Sequence, residues 1–189
     1  MIDAGALDLV KGLRDYADAH SRSLSRAILT PHHGEAARLL TQLGSPRSRA
    51  DIDADPAASA NELALLTGAV ILLKSSTTVC SYLHHDQGSR TQEIISIPQE
   101  TPWAGVAGSG DVLAGAVAGI AAGFQARAER RQGNPSISEA ECATLASLGA
   151  WVHAQAAFRA GVGSQGHAHP IQAIDIARAL PEIIGELCS

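Results

Sequence analysis

Aromatic side chains make up only 3% of the 189 residues, so any core has to be built from Ala, Leu, Ile and Val. The same scarcity argues against single-stranded nucleic acid, which proteins hold by stacking bases on aromatic platforms. No long basic run is present and the formal net charge is −5. That speaks against nucleic acid and anionic membrane surfaces alike. Cysteine is limited to Cys80, Cys142 and Cys188, an odd set without C-x-x-C spacing. It supports neither a disulfide framework nor a zinc site, and reduced thiols in a cytoplasmic protein are expected. No apolar run reaches the length of a membrane span. Met1–Gly5 also lacks the basic start and apolar continuation of a secretory signal. What is present is aliphatic: 46% hydrophobic residues, a globular composition at a length that suits one domain over residues 1–189.

The strongest chemical signal is the stretch Trp103–Gly123. Glycines at 105, 108 and 110 allow a tight backbone path and close approach by a ligand. Val112, Leu113, Ala116, Val117 and Ile120 then recur at helical spacing. A glycine loop that opens a helix gathers unpaired N–H groups at the positive end of the dipole, which suits an anion, most often phosphate. Asp111 falls in the first turn, where a carboxylate suits the dipole and can accept a proton from a hydroxyl. The same residues also read as a flexible helix start capped by Ser109 or Asp111. Neither the P-loop pattern nor the G-x-G-x-x-G fingerprint is present.

Elsewhere, Leu7, Val10, Leu13 and Tyr16 predict an amphipathic helix over about residues 5–20. Ala27–Thr30 reads as a short buried strand stopped by Pro31, then comes a turn at His32–Gly34 and a helix over Glu35–Leu43. Residues 44–55 read as a loop, followed by a helix over about 57–67. Ala69–Leu73 is an apolar run typical of a fully buried strand, and Lys74–Thr78 follows it as a loop. Val79–Leu83 and Glu93–Ile97 predict a hairpin. Residues 127–137 read as a charged surface loop. Ser138 opens a long Ala-rich helix with Leu145, Leu148, Val152, Ala156 and Ala160 inward. A last helix over 171–187 is expected to break near Pro181. Strand–helix alternation predicts an α/β fold with a largely parallel sheet, whose ligands bind beyond the carboxyl ends of the strands. Thr30–Glu35, Lys74–Thr78 and Gly105–Asp111 all fall in such positions.

Three ordered motifs carry a resemblance to a family. They are Thr30-Pro31-His32-His33-Gly34-Glu35, Lys74-Ser75-Ser76-Thr77-Thr78 and Ala107-Gly108-Ser109-Gly110-Asp111-Val112-Leu113-Ala114-Gly115. With His153 in the late helix and the Pro170–Ile176 stretch, the chain resembles the ADP/ATP-dependent NAD(P)H-hydrate dehydratases of the ribokinase-like superfamily. The match departs at His33, Ser75 and Ala107, where the family usually has proline, glycine and glycine.

The resemblance implies a ribokinase-like three-layer αβα fold with a mostly parallel sheet that lacks its first strands. Family members carry roughly a hundred more residues ahead of the segment beginning here, a domain-sized difference. An open sheet edge would follow, and with it a homo-oligomer. The implied activity is phosphorylation of the hydroxyl of hydrated NADH or NADPH by ADP or ATP, with Mg²⁺, then loss of phosphate. His32 and Asp111 would contact the hydrate, with Asp111 as catalytic base. Lys74, Ser75, Ser76, Thr77, Thr78, Gly108, Ser109 and Gly110 would bind the nucleotide donor. No carboxylate cluster predicts protein ligands for Mg²⁺. The alternatives are a ribokinase-like kinase of a small molecule such as a vitamin precursor or sugar, or a truncated, catalytically silent nucleotide-binding module.

Overall fold

Order along the chain follows local stop and start signals. A computed structural model describes residues 1–86, 89–132, 137–162 and 167–188. A 3-10 turn at Ala4–Leu9 leads into α1 (Val10–Ala19), then β1 (Ile28–Leu29) and α2 (His33–Gln42). Next come α3 (Arg49–Ala54), α4 (Pro56–Thr67), β2 (Val70–Leu73), β3 (Thr77–Asp86) and β4 (Ser89–Pro98). A 3-10 turn at Pro102–Ala104 precedes α5 (Ser109–Gln132), α6 (Glu139–Gly161) and α7 (Ala173–Cys188). The N-termini are set by side chains. His32 with Glu35, Ser48 with Asp51, and Ser138 with Glu141 each close a reciprocal capping box. Asp55 caps α4 ahead of Pro56, and Gly68 ends it at φ +68°, a conformation glycine adopts without strain.

The four strands lie in the order β1-β2-β3-β4. β1 and β2 are parallel, with Ile28 beside Val70 and Leu29 beside Ile71, and Ile2 bridges Leu29 in parallel on the open side. β3 and β4 both run antiparallel to their neighbours. The expectation of a mostly parallel sheet is therefore corrected to a mixed one. Between β2 and β3 lie only Lys74, Ser75 and Ser76, too few residues for the crossover a parallel neighbour requires.

Alternation along β1 and β2 divides the core into the two faces of a three-layer αβα arrangement. Leu29, Ile71, Leu73 and Val79 pack with Val10, Leu39, Leu40 and Leu63 from α1, α2 and α4. Ile28, Val70, Leu72 and Cys80 pack with Leu113, Val117, Ala143 and Ala146 from α5 and α6. β2 is buried on both faces, as its unbroken apolar run predicts. Each fully buried Leu or Ile there contributes roughly 1.5–3 kcal/mol relative to exposure. The third cluster joins α6 to α7 through Val152, Ala156, Ile176 and Ile183.

Several local expectations change. α5 runs through 127–132, which read as a loop because of its charges; residues 133–136 of that predicted loop lie outside the described residues. Its closing arginines, Arg130 and Arg131, suit a helix C-terminus. α3 forms within the predicted 44–55 loop. α7 continues across Pro181 rather than breaking there. Leu13, Tyr16 and Leu148 are exposed although their spacing suggested burial. Among the described residues, no helix is long and apolar enough to cross a membrane.

Candidate active site

The parallel register of β1 and β2 continues past both strand ends, so His32 bridges Lys74, and the Lys74 amide donates to the Pro31 carbonyl at 2.8 Å. Two motif segments far apart in sequence thus become neighbours. The third arrives by way of β4. The Gln99 amide donates to the Ser76 carbonyl at 3.1 Å, and the chain turns through Pro102–Ala104 into the glycine loop and α5. Together these segments enclose a cavity of about 910 Å³, at the upper end of small-molecule sites. His32, Lys74, Ser75, Ser76, Thr78, Ser109 and Gly110 all line it.

Three residues expected in the site stand outside that lining: Thr77, Gly108 and Asp111. Thr77 opens β3 and is exposed, whereas Thr78 is buried and accepts from Gln99 Nε2 at 3.4 Å. Gly108 acts through its backbone. Its φ of +84° is what lets the loop turn into α5, and a Cβ there would meet Ala173 Cβ at 3.2 Å. Asp111 is exposed in the first turn of α5, adjacent to the cavity-lining Gly110. The amides of Gly110 and Asp111 have no acceptor among the described residues, as the first N–H groups of a helix must.

Neither Ser109 nor Asp111 serves as a cap. Ser109 is the first residue of α5, and His153 of α6 reaches it from across the layer. His153 Nε2 lies 3.1 Å from both Ser109 Oγ and the Ser109 carbonyl oxygen. A proton on Nε2 donates to that carbonyl. Burial pushes the imidazole below its usual range, the Ser109 carbonyl offsetting this only in part. The glycine loop is therefore tied down from α6.

His32 Nδ1 accepts from the amides of Gly34 at 3.0 Å and Glu35 at 3.2 Å, which places the neutral ring's proton on Nε2. That nitrogen lies 3.6 Å from Glu35 Oε2. Lys74 Nζ donates to Asp3 Oδ1 at 2.9 Å and lies 3.8 Å from Glu35 Oε2. Asp3 also accepts from the Thr30 hydroxyl at 2.6 Å. Burial raises the Asp3 pKa, but the hydrogen bonds from Lys74 and Thr30 together outweigh it and hold the carboxyl below the usual range. Sequence reasoning named Lys74, which lines the cavity, but not its partners. It also did not assign Arg49, Gln99 or His153 to the site, all of which line the cavity. The one usable signal was His153, a polar residue on the buried face of an Ala-rich helix.

A second cavity, about 630 Å³, lies between β1 and the α5–α6 pair and is lined by Ile28, Val117, Ala121 and Leu145 among others. It contains none of the motif residues.

A family described as NAD(P)H-hydrate dehydratase matches residues 1–178. The ADP-dependent (S)-NAD(P)H-hydrate dehydratase of Neisseria meningitidis is 34% identical over 161 residues, covering 83% of this chain and 44% of that protein. The bifunctional NAD(P)H-hydrate repair enzyme of Corynebacterium glutamicum is 31% identical over 185 residues, covering 96% of this chain and 31% of that protein. Among solved structures, a ribokinase-like superfamily protein from Enterococcus faecalis superposes with a TM-score of 0.60 at 23% identity, over 98% of this chain and 51% of that one. The ADP/ATP-dependent NAD(P)H-hydrate dehydratase of Bacillus subtilis, co-crystallised with ATP and Mg²⁺, gives 0.57 at 22% identity, over 84% of this chain and 47% of that one. The chain thus spans less than half the length of the curated relatives it matches. The fold is ribokinase-like, and the chain belongs to the NAD(P)H-hydrate dehydratase family.

Proposed function

We propose that this chain takes part in the ADP- or ATP-dependent dehydration of hydrated NADH and NADPH. The observation that carries this reading is the meeting of His32, Lys74, Ser109 and Gly110, from three separate segments, around one nucleotide-sized cavity. The Asp111 carboxylate removes the proton from the hydrate's hydroxyl, whose oxygen attacks the terminal phosphoryl of the donor. The free amides of Gly110 and Asp111 face the charge that develops, as does the Lys74 ammonium. Phosphate then leaves with the carbon–oxygen bonding electrons, the neighbouring ring carbon loses a proton, and the dihydronicotinamide double bond returns. Ser75, Ser76 and Thr78 line the nucleotide's side of the cavity, Gly108 sets the turn that presents the amides, and His32 sits on the hydrate's side.

Mg²⁺ would ride chiefly on the donor's phosphates and water. Among the described residues no group of three or more His, Cys, Asp or Glu side chains is placed to hold a metal, and Asp3 and Glu35 already face Lys74. We also infer a homo-oligomer, from the open sheet edge beside Ile2. Light scattering on the purified chain tests that.

The decisive assay follows recovery of NADH absorbance from hydrated NADH with ADP or ATP. Asp111→Asn is expected to lower the rate by about 10²–10⁴-fold, the usual worth of a positioned base. Nucleotide-dependent thermal stabilisation without turnover would point to a binding module instead. Melting unchanged by ADP, ATP and AMP would refute any nucleotide site.

A further inference from the structure

We propose that Asp3 is a positioning residue for this reaction: with Glu35, it holds the Lys74 ammonium at the N-terminus of α5, where the transferring phosphoryl arrives. The inference rests on the proposed function above and adds a role that the three motifs do not contain.

Lys74 stands in an electrostatic conflict. Its Nζ lies 3.5 Å from the position a Cβ on Gly110 would occupy, so the ammonium sits against the first turn of α5. A helix N-terminus carries roughly half a positive charge and disfavours a cation. A lysine on its flexible four-carbon stem would ordinarily swing its head into water. Here its side chain is only 18% exposed. What retains it is a pair of carboxylates, Asp3 at 2.9 Å and Glu35 at 3.8 Å.

Both carboxylates are themselves fixed, and from different parts of the chain. Glu35 accepts from the His32 amide at 2.9 Å as half of a capping box. Asp3 accepts from the Thr30 hydroxyl, and its backbone is anchored on either side of Ile2. There the Ile2 amide donates to Ile28 at 2.8 Å, and the Thr30 amide donates to Ile2 at 3.2 Å. The next residue, Ala4, takes φ +50°, a left-handed conformation that costs a residue with a Cβ energy. Such strain persists only where surrounding structure over-determines it, and it concentrates at functional sites. A cation kept at the wrong end of a helix, by a carboxylate aimed through a strained backbone, is poor design for stability alone. It is well suited to an incoming anion, which meets the ammonium and two free amides at one point.

The test compares Asp3→Asn, Lys74→Met and the double variant in the NADH-recovery assay, with Asp3→Glu as the conservative change. Asp3→Asn is expected to lower kcat at least about tenfold while the nucleotide KM stays within about threefold, the pattern of a group that acts in the transition state. The double variant should be no slower than Lys74→Met alone, since Asp3 acts through Lys74. Asp3→Glu, which keeps the charge, should recover part of the loss. An unchanged kcat in Asp3→Asn, or losses that multiply in the double variant, would overturn the proposal. Should the parent chain recover no NADH, the proposed reaction fails and the clamp is read separately. Carbon-13 NMR should then show Asp3 titrating below the ordinary carboxylate range and moving up in Lys74→Met. An Asp3 that titrates normally and ignores that substitution would overturn the clamp.

Discussion

Gly149→Ala should destabilise the protein, even though glycine in mid-helix is normally a weak point. Replacing an exposed helical glycine by alanine gains about 1 kcal/mol of helix propensity. At Gly149 of α6, however, a Cβ would lie 2.6 Å from Val117 Cγ2 and 2.9 Å from Val117 Cα. The second contact is with backbone, so no rotamer change of Val117 relieves it and α5 and α6 must separate. Overpacking of that kind costs about 1–3 kcal/mol. Taking the upper end and subtracting the propensity gain leaves a net loss of about 2 kcal/mol. For a chain of this size that corresponds to a fall of about 4–8 °C in melting temperature. Gly115 and Gly123 of α5 are internal controls, because a Cβ at either meets nothing within 4 Å. Their alanine variants should melt at or slightly above the parent. Circular dichroism on the three variants decides the matter. Gly149→Ala melting as high as Gly115→Ala would refute the claim that this glycine sets the α5–α6 approach. The consequence reaches the site, since His153 lies one turn further along α6 and meets Ser109 at the start of α5.

Other perturbations give equally direct readings. Gly108→Ala forces a Cβ into φ +84° and toward Ala173, so it should cost about 1–2 kcal/mol and reduce the thermal shift produced by ADP. The depressed pKa of His153 has a definite sign: the unfolded chain takes up its proton at higher pH than the folded one. Its contribution is full above the unfolded value of about 6.5 and is lost as pH falls through that value toward the folded one. Urea midpoints should therefore drop with acidification over that window in the parent and flatten in His153→Asn; identical slopes would contradict the burial argument. Asp3, with its lowered pKa, stabilises above the unfolded carboxylate value and loses that contribution as pH falls through the folded one. Asp3→Asn should remove this part of the acid limb, read by the same titration.

Much of the site is legible in the sequence because its signals are local. A proline after a short apolar strand, a lysine after a longer one, and glycines ahead of a helical pattern each state a backbone requirement within a few residues. Gly108 at positive φ is the clearest case. Capping at Ser138 with Glu141 and the two-sided burial of β2 are readable for the same reason. Charge misleads where it stands for exposure: Arg127, Glu129, Arg130 and Arg131 lie on the solvent-side end of a helix, and all are good helix formers. Loop-like polar residues mislead at Thr77 and Thr78, which join β3 because β4 offers them Pro98 and Ile97 as partners.

Residue order alone marks β1 and β2 as buried strands, marks the start of α6 at Ser138, and singles out the strand ends and the glycine loop as the candidate site. Those properties follow from periodicity, caps and backbone preferences, which act over a few residues. Three other features arise only from the packed fold. The mixed sheet follows from a connection too short to cross over, the anchoring of Ser109 from a histidine 44 positions away, and the holding of Lys74 from a carboxylate 71 positions away. Strand register and helix approach bring such groups together, and no local pattern encodes either.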